Sequence, residues 1–176
     1  MPLVRRSFLH LLLPALCAPR IVRSEVFLTP PQAQASLFPG QALKPSPIVL
    51  TPDQKKTIQK QSGVRVRDEK IDAWRSPDGG WFILDNVLGK HEFIDFAVAL
   101  TAAGAVKGVT ILTYRETYGG EVRNPKWLAQ FLGKTKTAPL KVDTDIKNIS
   151  GATLSSVHIA EGVRRLLATH AIALQS

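Results

Sequence analysis

Ser150, Thr153, Ser155 and Ser156 place four hydroxyls within one short stretch, around the very small residues Gly151 and Ala152, at the start of an apolar helical pattern. A helix start carries unpaired backbone N–H groups and a partial positive charge, and residues with little side chain let a phosphorylated ligand approach that backbone. The same residue types make a good helix cap. On types alone both readings stand: a cradle that holds phosphate beside a hydroxyl nucleophile, and a cap that only starts the helix.

Other residues carry similar pairs of readings. Gly119 and Gly120 give backbone room for a flat ligand, with Glu116 and Thr117 offering hydrogen-bonding groups beside it, or they form a plain glycine turn after a strand. Lys90 and His91 sit in a turn where a cation can hold phosphate, or they are simply solvated. Trp74, Trp81 and Trp127 read as core aromatics rather than as walls of a ligand site. His158 and His170 lie far apart on one helix without carboxylate pairs around them, so no metal site is expected. No nucleophile, base and acid set of the hydrolase kind is present, and no catalytic side chain is assigned.

Two blocks carry a family resemblance. Ser150-Gly151-Ala152-Thr153, followed by Leu154-Ser155-Ser156 and the run His158 to Leu167, resembles the signature of the FMN-binding domain in peripheral subunits of the sodium-translocating NADH:quinone reductase and the related Rnf complex. Tyr114-Arg115-Glu116-Thr117-Tyr118-Gly119-Gly120, then Trp127 to Lys134, is similar to the family's upstream segment in order and spacing. The likeness covers roughly Asp72 to Leu174. It implies FMN held by a phosphoester to Thr153, installed from FAD by a separate flavin transferase. It also implies a cofactor site of Thr153, Ser150, Gly151, Ala152, Ser155, Ser156, Glu116, Thr117, Gly119 and Gly120. The chain departs from the transferase recognition pattern at Lys147, where that pattern has an aspartate; Asp143 and Asp145 lie nearby but out of register.

The elements that must position these residues are legible from periodicity and turn chemistry. Thr29-Pro30-Pro31 opens a short helix through Phe38, and Pro39 to Pro47 is a proline-rich connector. Thr51-Pro52-Asp53 opens a second helix closed by Gly63. Strand patterns run from Val64 to Trp74, Trp81 to Leu88, Glu92 to Leu100 and Val106 to Tyr114, separated by short Gly- and Pro-containing turns. Such short connections require antiparallel pairing. Asn124 to Leu132 reads as a helix ended by Gly133. The last helix aligns Ile159, Val163, Leu166, Leu167 and Leu174 on one stripe, with Arg164 and Arg165 on the flank. No internal repeat and no Rossmann-type glycine fingerprint is present. The expected fold is therefore α+β, a twisted antiparallel sheet packed against helices, with the C-terminal helix following the attachment motif.

Arg5-Arg6, the apolar run from Phe8 to Leu16 and Cys17-Ala18 follow the order of a secretory signal, too short to span a bilayer comfortably. The expected organisation is a signal peptide over 1–24, an N-terminal helix and connector over 25–50, and the FMN-binding domain over 51–176. Removing 1–24 takes away Arg5, Arg6, Arg20 and Arg23 and no acids, so the formal charge falls from +9 to +5. Lys55, Lys56, Lys60, Lys134 and Lys136 lack the interleaved aromatics that single strands require, so a nucleic-acid partner is not expected. Without Cys17 no cysteine remains, which excludes disulfides and iron–sulfur clusters.

The function expected from the resemblance is a periplasmic electron-transfer flavoprotein rather than a stand-alone catalyst. It would pass electrons between a membrane-bound donor and an acceptor, with no permanent membrane span of its own. Two alternatives are a flavin-dependent reductase of small acceptors such as ferric chelates or quinones, and a binding module that kept the fold and lost the flavin.

Overall fold

The computed structural model describes residues 25–175. The segment read as a signal peptide lies outside the described residues. Four strands build most of the sheet: β4 (Lys70–Arg75), β5 (Trp81–Leu88), β6 (Phe93–Leu100) and β7 (Val106–Tyr114). β5 and β6 pair without interruption from Trp81↔Leu100 to Leu88↔Phe93. β6 and β7 pair with register shifts at Asp95/Phe96 and Ala99/Leu100. Three two-residue strands, β1 (Glu25–Val26), β2 (Lys44–Pro45) and β3 (Ile48–Val49), extend the sheet at its edges. The order is β1-β7-β6-β5-β4-β2, with β3 also on β4, and every pairing is antiparallel.

Alternation along the strands gives each face its own core. On one face Ile83, Phe96, Val98, Val109 and Ile111 meet Ile159, Val163, Leu166 and Leu167 of α4 (Thr153–Thr169). On the other, Phe82, Ala97, Ala99 and Leu112 meet Ala33 and Phe38, at and just beyond α1 (Pro30–Leu37). α2 (Pro52–Ser62) starts with Thr51 accepting the Gln54 N–H and ends on left-handed Gly63, as its sequence requires. The α+β expectation is met, including the C-terminal helix after the serine-rich motif.

Four local expectations change. The strand read from Val64 starts only at Lys70, because the backbone before it bonds to side chains: Val66 N–H donates to Gln59 Oε1, and the Arg65 carbonyl accepts from Arg165. The proline-rich connector read over Pro39 to Pro47 contributes an edge strand, β2, and β3 follows directly after it. The helix read over Asn124 to Leu132 is a single α-turn, α3 (Pro125–Leu128), which tightens to a 3₁₀ turn over Ala129–Phe131. Arg165 is buried rather than flanking; its guanidinium donates to Asp85 Oδ2 at 2.7 Å and to the Asn86 carbonyl at 3.3 Å. Burial, the largest influence, pushes the Asp85 carboxyl up, and Arg165 opposes it.

Candidate functional site

Three segments close around one groove of about 530 Å³: the turn between β5 and β6, the loop leaving β7, and the start of α4. Its lining is Lys90 and His91 from the turn, Glu116, Thr117 and Tyr118 from the loop, and Gly151 to Ser155 from the helix start. Tyr118 and Leu154 are 74% and 46% exposed, which gives the groove two open apolar surfaces.

The turn is fastened to the loop by one carboxylate. Glu116 Oε1 accepts the His91 N–H at 2.6 Å and the Glu92 N–H at 3.0 Å. Burial, the largest single influence, raises the Glu116 pKa, but the N–H groups of Glu92, His91 and Lys90 together outweigh it and the net direction is down. Gly89 makes room for this contact, because a Cβ there would stand 2.5 Å from the same Glu116 oxygen.

The groove floor is tied across elements by Tyr114. Its buried hydroxyl donates to the Tyr118 carbonyl at 2.5 Å and lies 3.0 Å from Ser155 Oγ on α4. Burial pushes the phenol up, so it remains a neutral hydrogen-bonding group. Gly119 sits at φ 93°, where a Cβ would come within 2.5 Å of the Tyr114 oxygen and 2.9 Å of Ala152 Cβ. Glycine is needed there both for conformation and for space.

Thr153 is the first residue of α4 and is exposed. Ala152 occupies the cap position and no side chain caps the helix, so capping does not account for these hydroxyls. Thr153 Oγ1 instead accepts a hydrogen bond from Asn148 Nδ2 at 3.2 Å. Gly151 holds φ 82°, turning the chain into the helix. Lys147 is exposed, and its backbone is gripped from two sides: Trp127 Nε1–H donates to its carbonyl, and its N–H donates to Gln130 Oε1, each at 2.7 Å.

Six of the residues read from sequence meet in the groove: Thr153, Gly151, Ala152, Ser155, Glu116 and Thr117. Ser150 is exposed outside the lining, and Gly119 supports the wall from behind. Gly120 faces a separate open hollow with Glu121, Arg123, Asn124 and Pro125. Ser156 is 0% exposed, in the core. Lys90 and His91 line the groove, whereas Trp74, Trp81 and Trp127 do not. Sequence reasoning missed Tyr118, Leu154, Gly89 and Asn148; Leu154 lies inside the motif, and Tyr118 directly precedes the glycine pair, but neither stands out by type as a ligand-binding group. Among the described residues no cluster of His, Cys, Asp and Glu could hold a metal ion, and no helix is long and apolar enough to cross a membrane.

Comparison with known proteins agrees with this geometry. Residues 89–168 match the FMN-binding domain family, a span that contains the whole groove lining. Among solved structures the chain is similar to a component of the Na(+)-translocating NADH-quinone reductase from Parabacteroides distasonis, with a TM-score of 0.51 and 14% sequence identity over 76% of this chain and 79% of that one. The two share a fold. No curated protein matches the chain.

Proposed function

We propose that the chain is an exported flavoprotein that carries FMN through a phosphoester to Thr153 and relays electrons between a membrane-bound donor and an acceptor. The observation that carries this reading is the exposed, non-capping Thr153 hydroxyl at a helix start inside a groove that lies wholly within the FMN-binding match.

The residues fit the group. The groove has the volume of a cofactor site, and the first turn of α4 offers N–H groups to a phosphate. Lys90, from the turn between β5 and β6, adds positive charge to the groove lining. Tyr118 and Leu154 present apolar surface suited to a flat ring. Bound FMN would supply one- and two-electron transfer, while the protein fixes its orientation and exposure. Attachment to Thr153 would keep the cofactor at high effective concentration where free flavin is scarce. Maturation requires a flavin transferase, and the redox partner would be membrane-bound or periplasmic.

The test is co-expression of the full chain with a flavin transferase, followed by intact mass, absorbance after denaturation and peptide mapping. Wild type should remain yellow when denatured, with the adduct on Thr153. Thr153→Val should lose the covalent flavin while folding normally, within about 0.5 kcal/mol of wild type, because no cap is removed. Thr153→Ser should retain part of the flavin. An adduct mapped to Ser155 or Ser156, or full flavination of Thr153→Val, would overturn the assignment.

A further inference from the structure

Asn148 stands outside the groove lining, yet its Nδ2 donates to Thr153 Oγ1. The backbone on either side of it is fixed. Before it, Lys147 is held through its carbonyl by Trp127 and through its N–H by Gln130. After it, Ile149 packs against the main core, and the Ile149 carbonyl accepts the Ala152 N–H at 2.9 Å. Trp127 is itself buried, edge-on to Phe131 at a centroid distance of 5.2 Å. The Trp127 to Phe131 turn thus carries the 147–148 loop, and the loop carries an amide aimed at the one threonine in the motif.

Resting on the reading of Thr153 as the flavin acceptor, we infer that Asn148 is a positioning residue for the attachment step. Its N–H occupies one lone pair of the Thr153 oxygen and restricts the side-chain rotamer. In the step itself the Thr153 oxygen attacks the phosphorus of the FMN half of FAD and a new P–O ester bond forms. The bond from that phosphorus to the oxygen bridging the AMP half breaks, and AMP leaves with the electron pair. The hydroxyl proton passes to a base of the transferase or to solvent, and nothing is oxidised or reduced. Asn148 acts on this step through the orientation of the nucleophile, and does not touch the bound ring or phosphate.

Single-turnover flavination of the full chain, with FAD and flavin transferase at varied concentration, tests this role. Asn148→Ala should lower the maximal rate about tenfold, less than the roughly hundredfold cost of a 1 Å misplacement because only one orienting hydrogen bond is lost. The transferase concentration giving half the maximal rate, the thermal midpoint and the equilibrium affinity for free FMN should stay unchanged. Asn148→Gln, which keeps an amide donor, should recover part of the rate. Asn148→Asp has no hydrogen to donate at neutral pH and should be no faster than Asn148→Ala. Wild-type rate in Asn148→Ala or Asn148→Asp would overturn the inference, as would a change confined to the half-saturating concentration. Failure of wild type to gain covalent flavin is a separate outcome, one that removes the Thr153 reading itself.

Discussion

Glu116 joins two parts of the groove wall that lie 25 residues apart, since its carboxylate accepts the His91 and Glu92 N–H groups. Its pKa in the folded chain lies below its ordinary 4.5, so its contribution has a definite sign. A carboxyl with a depressed folded pKa stabilises fully above its unfolded value, and that stabilisation is lost as pH falls through the lower folded value. The turn between β5 and β6 should therefore be firm at neutral pH and loosen in acid below 4.5. Amide shifts and hydrogen exchange at His91 and Glu92 should follow the same titration, while amides in the middle of β6 should not. Glu116→Ala should abolish that titration and cost about 1 kcal/mol, below the usual value for bonds to a charged group because the site is partly exposed. An unchanged acid response in Glu116→Ala would assign the titration to another group. Gly89→Ala should resemble it, since its Cβ would displace the same oxygen.

α4 supplies one side of the groove through its first turn, and it packs tightly on the sheet at Gly162. A Cβ there would meet Phe96 Cζ at 2.8 Å and Val87 Cγ1 at 2.9 Å. Alanine in a helix is ordinarily better than glycine by about 1 kcal/mol, so the sign of Gly162→Ala decides between propensity and packing. We expect packing to win, with a net loss of about 1–3 kcal/mol in chemical denaturation and weaker binding of free FMN as the helix start shifts. A stabilised variant would show that the sheet yields at no cost. Much at this scale is legible in the sequence. Apolar strand runs bounded by turns over Trp81 to Leu88 and Val106 to Tyr114, the Thr51 and Gly63 helix limits, and the apolar stripe of α4 are local signals, and they appear where expected. Arg165 escapes such reading because its partner Asp85 lies 80 residues away, and a helical arginine beside an apolar stripe looks like a flanking cation. The motif announces Thr153 as a chemical group, yet whether it caps the helix depends on the backbone of Ala152. Asn148 has no pattern to mark it, since its role comes from a loop held by Trp127 and Gln130.

At the scale of the whole molecule, the sheet edge nearest the groove is made by the first described residues. Glu25 and Val26 pair with Tyr114 and Thr113, and the Phe27 and Leu28 N–H groups both donate to the Leu112 carbonyl. Arg123 lies 4.4 Å over the Phe27 ring, fastening the same stretch to the turn before α3. This edge flanks Tyr114, whose hydroxyl supports the groove, so a mature chain that begins at or just before Glu25 keeps the pairing, whereas one trimmed past Leu28 loses it. The Arg5-Arg6 pair and the Phe8 to Leu16 run lead us to predict export, with cleavage leaving a start between Ala18 and Val26. Mass spectrometry of periplasmic material should find that start, and recovery of the intact Met1 form there would count against it. Trimming to Thr29 should lower the thermal midpoint by roughly 2–4 °C if the edge contributes about 1 kcal/mol. A chain processed after Ser24 also carries a formal charge of +5 and no cysteine, so its fold must hold without disulfides. Thermal midpoints with and without reductant should accordingly coincide for the mature protein, and a reductant-sensitive midpoint would mean that Cys17 is retained.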